Sequence, residues 1–196
     1  DGTHETAVLR VHRRGTNLRR VDAVNQISRR AEAGEITPEE ALRALEKIEH
    51  SLSFRPWQRC VAAAVSSGGF AVMFGGGVAD FFVGVVTAGL VQALTCLLGR
   101  YRLEGMVSTL VGSFFATLLP LLFYHFTHVG TVDACVAGAL MPLLPGLAMT
   151  NAVQDTMRGD IVSGVAHGMN AILTATLVAG GALIASSLYH VLMGGA

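Results

Sequence analysis

Met141-Pro142-Leu143-Leu144-Pro145-Gly146-Leu147-Ala148-Met149-Thr150-Asn151-Ala152-Val153-Gln154-Asp155 sets two prolines, a glycine, an amide and a carboxylate inside or beside an otherwise apolar run. A helix in lipid has to satisfy its own backbone groups, so a break at membrane depth is tolerated only where it is buried in protein or lines a cavity. Interrupted helices of this kind are where secondary transporters bind substrate. The meaning of the break therefore depends on whether the surrounding chain crosses a membrane.

Outward from that stretch, charge is scarce. The 196 residues are 52% hydrophobic and 14% charged, with mean hydropathy +0.52, and residues 1–59 hold 11 of the 14 Lys and Arg. Beyond them the charges are Asp80, Arg100, Arg102, Glu104, Asp133, Asp155, Arg158 and Asp160, separated by charge-free runs at 60–79, 81–99, 105–132, 134–154 and 161–196. A helix crosses the hydrocarbon core in roughly 20 residues. The expected fold is an all-α membrane protein with five transmembrane helices, at about 58–76, 79–98, 104–126, 132–153 and 161–191. A cytoplasmic amphipathic segment, 1–57, precedes the transmembrane domain, 58–196. With the first segment inside, five crossings leave every Lys and Arg on the cytoplasmic side and the C-terminus outside, in agreement with the positive-inside rule. The zero net charge and mixed signs give no case for a nucleic-acid partner. No signal peptide is visible, and the opening at Asp1 without a methionine suggests a fragment or processed form.

Within the first segment, Thr6 to Val11 reads as a short strand followed by basic His12-Arg13-Arg14. Leu18, Val21, Val24 and Ile27 then recur at helical spacing, and Gly34 is placed to stop that helix. Thr37-Pro38-Glu39-Glu40 is a helix start, with Thr37 as N-cap and Glu40 three residues on. Leu42, Leu45, Ile48 and Leu52 share one face of the helix begun there. Phe54-Arg55-Pro56-Trp57 approaches the membrane, with Trp57 at the interface.

Several polar groups in the apolar part are candidates for chemistry. Asn151 and Asp155 share a helical face just after the break; they form either a polar site or, for Asp155, a simple pair with Arg158 three residues on. His167, Asn170 and Thr174 line one face of the last span, and ionisable groups at that depth are costly and usually functional. The alternative for His167 is a neutral ring bonded within the bundle. Asp80 follows Gly75-Gly76-Gly77, and Asp80, Asp133 and Asp160 all stand where a helix dipole favours an acid. His125, His128 and Asp133 are too loosely spaced to assign a metal site. Cys60, Cys96 and Cys135 read as buried free thiols. Gly164 with Gly168, and Gly112 with Ala116, read as helix-packing pairs. No nucleophile–base set, cofactor motif or phosphate loop is present, so an enzyme is not expected.

Leu144-Pro145-Gly146, Thr150-Asn151-Ala152 with Asp155, Gly159-Asp160 and Ser163-Gly164 together resemble the threonine/serine exporter family. The resemblance extends to Gly75-Gly76-Gly77 with Asp80 and to Gly34-Glu35-Ile36-Thr37-Pro38-Glu39-Glu40-Ala41. It implies proton-driven export of small hydrophilic metabolites, chiefly threonine and serine, from the inner membrane, with dicarboxylates such as succinate in some relatives. It also implies a longer soluble segment before Asp1 and a second multi-span half, fused, separate or supplied by a second copy. Members often carry an arginine where this chain has His167. The expected substrate-binding residues are Pro145, Gly146, Thr150, Asn151 and Asn170, and the expected proton-coupling residues are Asp155, His167 and Asp80. The rival is a non-transporting scaffold whose segment 15–53 binds a cytoplasmic partner.

Overall fold

The computed structural model describes residues 17–51, 55–101 and 105–194, all of whose regular structure is helical. The strand expected at Thr6–Val11 lies outside the described residues, as do Leu52 and Phe54. Two compact units result, Asp1–Phe54 and Arg55–Ala196.

In the first unit, α1 (Leu18–Glu32) and α2 (Pro38–Ser51) form a helical hairpin. The Asn17 side chain accepts from Arg20 N–H at 3.3 Å to start α1, and Gly34, at φ +71°, follows its end. The Thr37 hydroxyl accepts from Glu40 N–H (3.3 Å) while the Glu40 carboxylate accepts from Thr37 N–H (2.9 Å), so the expected capping box forms.

The second unit comprises α3 (Pro56–Met73), α4 (Val78–Arg100), α5 (Met106–Thr127), α6 (Val132–Leu140), a 3-10 turn (Met141–Leu143), α7 (Gly146–Met157) and α8 (Ile161–Met193). Among the described residues three helices are long and apolar enough to cross a membrane: α4 with 23 residues, α5 with 22 and α8 with 33. A fourth span exists only if α6 and α7, bent by 57° across the turn, count as one. The expectation of five spans is corrected accordingly. The run at 60–79 carries no charge, but its helix is 18 residues long, has Gln58 and Arg59 in its first turn, and has Ser66-Ser67-Gly68-Gly69 near its middle. Counting charges hid that polarity. The expected outside C-terminus loses the support of five crossings: three end on the side opposite the start and four on the same side.

Where these helices touch, the contact atom is often a glycine. A Cβ on Gly138 of α6 would lie 2.7 Å from Ala71 N and Ser67 O of α3; one on Gly68 of α3 would lie 2.8 Å from Phe81 O of α4. Gly181 of α8 meets the backbone of α5, and Gly164 of α8 meets Thr156 and Ala152 of α7. Lipid tails are as apolar as the helix surfaces, so association in a membrane relies on this kind of close backbone approach. Gly164 and Gly168 both face Ala152, which is the packing role expected of that pair. A small core of Val91, Ala116 and Ala139 joins α4, α5 and α6, with Phe115, Leu140 and Leu143 packed on it. Leu143 also packs over Gly112, where a Cβ would lie 3.7 Å from its Cδ1, and thereby holds the 3-10 turn against the core.

Candidate functional site

The break between α6 and α7 has a local cause. Leu144 precedes Pro145, whose ring disfavours the helical region for its predecessor, and Leu144 is extended at φ −70°, ψ 139°. Pro145 is the N-cap of α7 and has no N–H to donate, so the helical ladder restarts only at Gly146. The Gly146 N–H donates to the Leu144 carbonyl at 2.9 Å and is not free. Later N–H groups of the first turn of α7 are those that a helix start leaves without intrahelical partners.

α7 carries candidate residues on two faces. Gly146 and Thr150 line a concavity of about 890 Å³, open on its far side, together with Met149, Val153, Gln154, Met157 and Arg158. The Thr150 hydroxyl donates back to the Gly146 carbonyl at 2.9 Å, which leaves its oxygen as an acceptor. The other face packs on α8. There Thr156 and Ala152 meet Gly164, and Ala152 meets Gly168.

On that second face two of the expected proton-coupling residues come together. Asp155 Oδ2 lies 2.8 Å from His167 Nδ1, with side-chain exposures of 23% and 49%. The partner of Asp155 is thus His167, twelve residues on, and not the neighbouring Arg158. Gly159, at φ +90°, folds α7 back onto α8, so residues at similar distances from that turn face each other. The same register brings half-buried Asn151 to the level of exposed Asn170. Asp160 is the N-cap of α8, though its side chain makes no capping bond.

Asp80 is elsewhere, near the start of α4, and the structure does not bring it to the other two. It is 2% exposed. One oxygen accepts from Gly77 N–H at 2.7 Å; the other accepts from Thr131 N–H at 2.9 Å and from the Cys135 thiol at 3.1 Å. Thr131 is the N-cap of α6. Sequence reasoning had Asp80 and Cys135 separately but missed their contact, as residues 55 apart in the chain carry no periodic signal. It also missed Gln154 and Arg158, which the spacing 146, 150, 154, 158 could have placed on one face.

His125 Nδ1 and the Tyr189 hydroxyl lie 3.3 Å apart, and the His128 ring stands edge-on to Tyr124. Asp133 is exposed in the first turn of α6. Among the described residues no three His, Cys, Asp or Glu side chains converge as metal ligands would.

Residues 1–189 match the family described as "Putative threonine/serine exporter". The chain is 28% identical over 186 residues to a protein of Corynebacterium glutamicum named "Threonine/serine exporter", covering 91% of this chain and 38% of that one. It is 25% identical over 177 residues to a "Probable threonine/serine exporter" of Mycobacterium tuberculosis, covering 89% and 33%. The chain therefore spans about a third of the length of these curated relatives. No solved structure matches it.

Proposed function

This chain belongs to the threonine/serine exporter family, and on that premise we propose that it forms part of a proton-coupled exporter of threonine and serine in the inner membrane. The observation that carries the reading is the 2.8 Å contact between Asp155 and His167, on the helix that restarts after the break at Gly146, a residue lining an open concavity. A substrate carboxylate is received at the start of α7, where the helix terminus carries partial positive charge. Pro145 and Gly146 shape that start, Thr150 offers an acceptor to the ammonium, and Asn151 and Asn170 line the α7–α8 seam.

Asp155 and His167 exchange the coupled proton. With the imidazole protonated the two form an ion pair that holds α7 on α8; once the proton leaves, only a hydrogen bond to a neutral ring remains. Asp80 stays outside this exchange, because both its oxygens already accept N–H bonds. The basic residues concentrated before Cys60 support a cytoplasmic first unit, and the length of the relatives supports a second multi-span part, from the same chain, a separate one or a second copy.

A dicarboxylate such as succinate is the second reading, favoured by Arg158 on the concavity. Reconstituted full-length protein tests both: Asp155→Asn and His167→Ala each abolish threonine uptake driven by a proton gradient. Normal coupled flux in both variants removes the coupling role. No thermal shift with threonine, serine or succinate favours the scaffold instead.

A further inference from the structure

We propose that Asp80 is a positioning residue that clasps the start of α6, and that this clasp closes one end of the transport path and opens during turnover. The proposal rests on the exporter reading above but on different atoms. Four observations converge on it. The Asp80 carboxylate accepts from the N–H groups of the N-cap residues of two helices, Gly77 of its own α4 and Thr131 of α6. The Cys135 thiol, one turn into α6 and 4% exposed, donates to the same Oδ1 that holds Thr131. A Cβ at Gly130 would collide with that oxygen, and one at Gly76 would stand 2.8 Å from the Asp80 Cβ, so both flanking loops are shaped to fit against the side chain. Finally, α6 is the short first arm of the broken helix, nine residues hinged at the 3-10 turn.

An arm hinged at one end and clasped at the other moves only when the clasp opens. At the far end of the same broken helix, the second arm is tied to α8 by Asp155 and His167, which are accessible. At the α6 end the contact itself is covered: Asp80 and Cys135 are buried beneath exposed Gly130 and Thr131. This asymmetry is what a transporter captured open to one side requires, and it assigns Asp80, Thr131 and Gly130 to the closed side.

Cys135 reports the clasp directly. In full-length protein in membrane vesicles, with Cys60→Ala and Cys96→Ala, a membrane-impermeant thiosulfonate added to either side labels Cys135 slowly without substrate. Threonine under a proton gradient accelerates labelling from one side only. Asp80→Asn and, from the opposite side of the contact, Gly130→Ala accelerate it about tenfold without threonine, the effect of losing one hydrogen bond to a charged acceptor. Labelling that threonine leaves unchanged in a protein that transports overturns the clasp. If the parent moves no threonine, the exporter reading fails by itself, and the clasp is still decided by Asp80→Asn: equal labelling of parent and variant overturns it.

Discussion

The two ends of the broken helix use the same kind of group in opposite ways. At the α6 end a carboxylate 2% exposed binds two backbone N–H groups and a thiol. At the α7 end a carboxylate with 23% side-chain exposure faces a histidine with 49%. Backbone amides do not lose their protons at any physiological pH, so the hold at Asp80 changes only when the geometry changes. At Asp155 the partner is an imidazole, and in the exchange proposed above that hold changes with its charge. In the proposed mechanism one end is a mechanical contact and the other exchanges a proton, and the 57° bend lies between them.

Replacing the titratable partner by a permanent cation separates these roles. His167→Arg keeps a cation opposite Asp155 but cannot release its proton. Proton-driven threonine flux is expected to fall by about 100-fold, at the lower end of what removal of a positioned proton-transfer group costs. Flux down a threonine gradient survives and no longer responds to an imposed proton gradient. Thermal stability stays within about 1 kcal/mol, since a half-exposed ion pair contributes little either way. Retention of coupled flux in His167→Arg would break the comparison, because both ends would then be mechanical.

Packing at the two ends should differ as well. A methyl group added at Gly138 meets only backbone atoms of α3, at 2.7 to 2.9 Å, and these cannot turn aside. At Gly164 the nearest atom is the Thr156 hydroxyl, which can rotate, and the backbone stands at 3.1 Å. Overpacking costs roughly 1–3 kcal/mol. Gly138→Ala is expected near the top of that range and Gly164→Ala near the bottom, read as loss of melting temperature in detergent. Equal losses would mean that the α7–α8 seam is packed as tightly as the α3–α6 contact.

The break itself was legible because proline acts locally: it removes a donor and restricts the residue before it, and both effects are visible at Leu144 and Pro145. Asp155 and His167 were each legible as expensive polar groups, but their pairing was not. Sequence spacing exposes neighbours three or four apart and offered Arg158; the real partner lies across a turn at Gly159 that reverses the chain. Asp80 was legible as the acid of a helix start, and its hold on Thr131, 51 residues on, was not. The number of spans was misjudged for another reason. A lack of charge at 60–79 was equated with apolarity, whereas Gln58, Ser66 and Ser67 with two glycines make α3 a helix suited to packing.

The smallest expected effect concerns the open face of α7. Gly146, Thr150, Gln154 and Arg158 succeed one another at steps of four along the concavity, so Arg158 stands three turns beyond the proposed carboxylate site at the break. The twelve residues between them span about 18 Å of helix. A threonine held at the break does not reach Arg158, and succinate, only slightly longer, cannot bridge the two positions either. Arg158 therefore acts as an exposed cation that attracts an anion before it is bound, and such a surface charge contributes about 0.2–1 kcal/mol. Arg158→Gln is expected to raise the KM for succinate by about two- to fivefold on that basis, to leave kcat unchanged, and to leave threonine, which carries no net charge, within error. An effect that grows at low salt supports long-range attraction. A loss of kcat would instead move the dicarboxylate site down α7 to Arg158 and make the open end, not the hinge, the place where substrate sits.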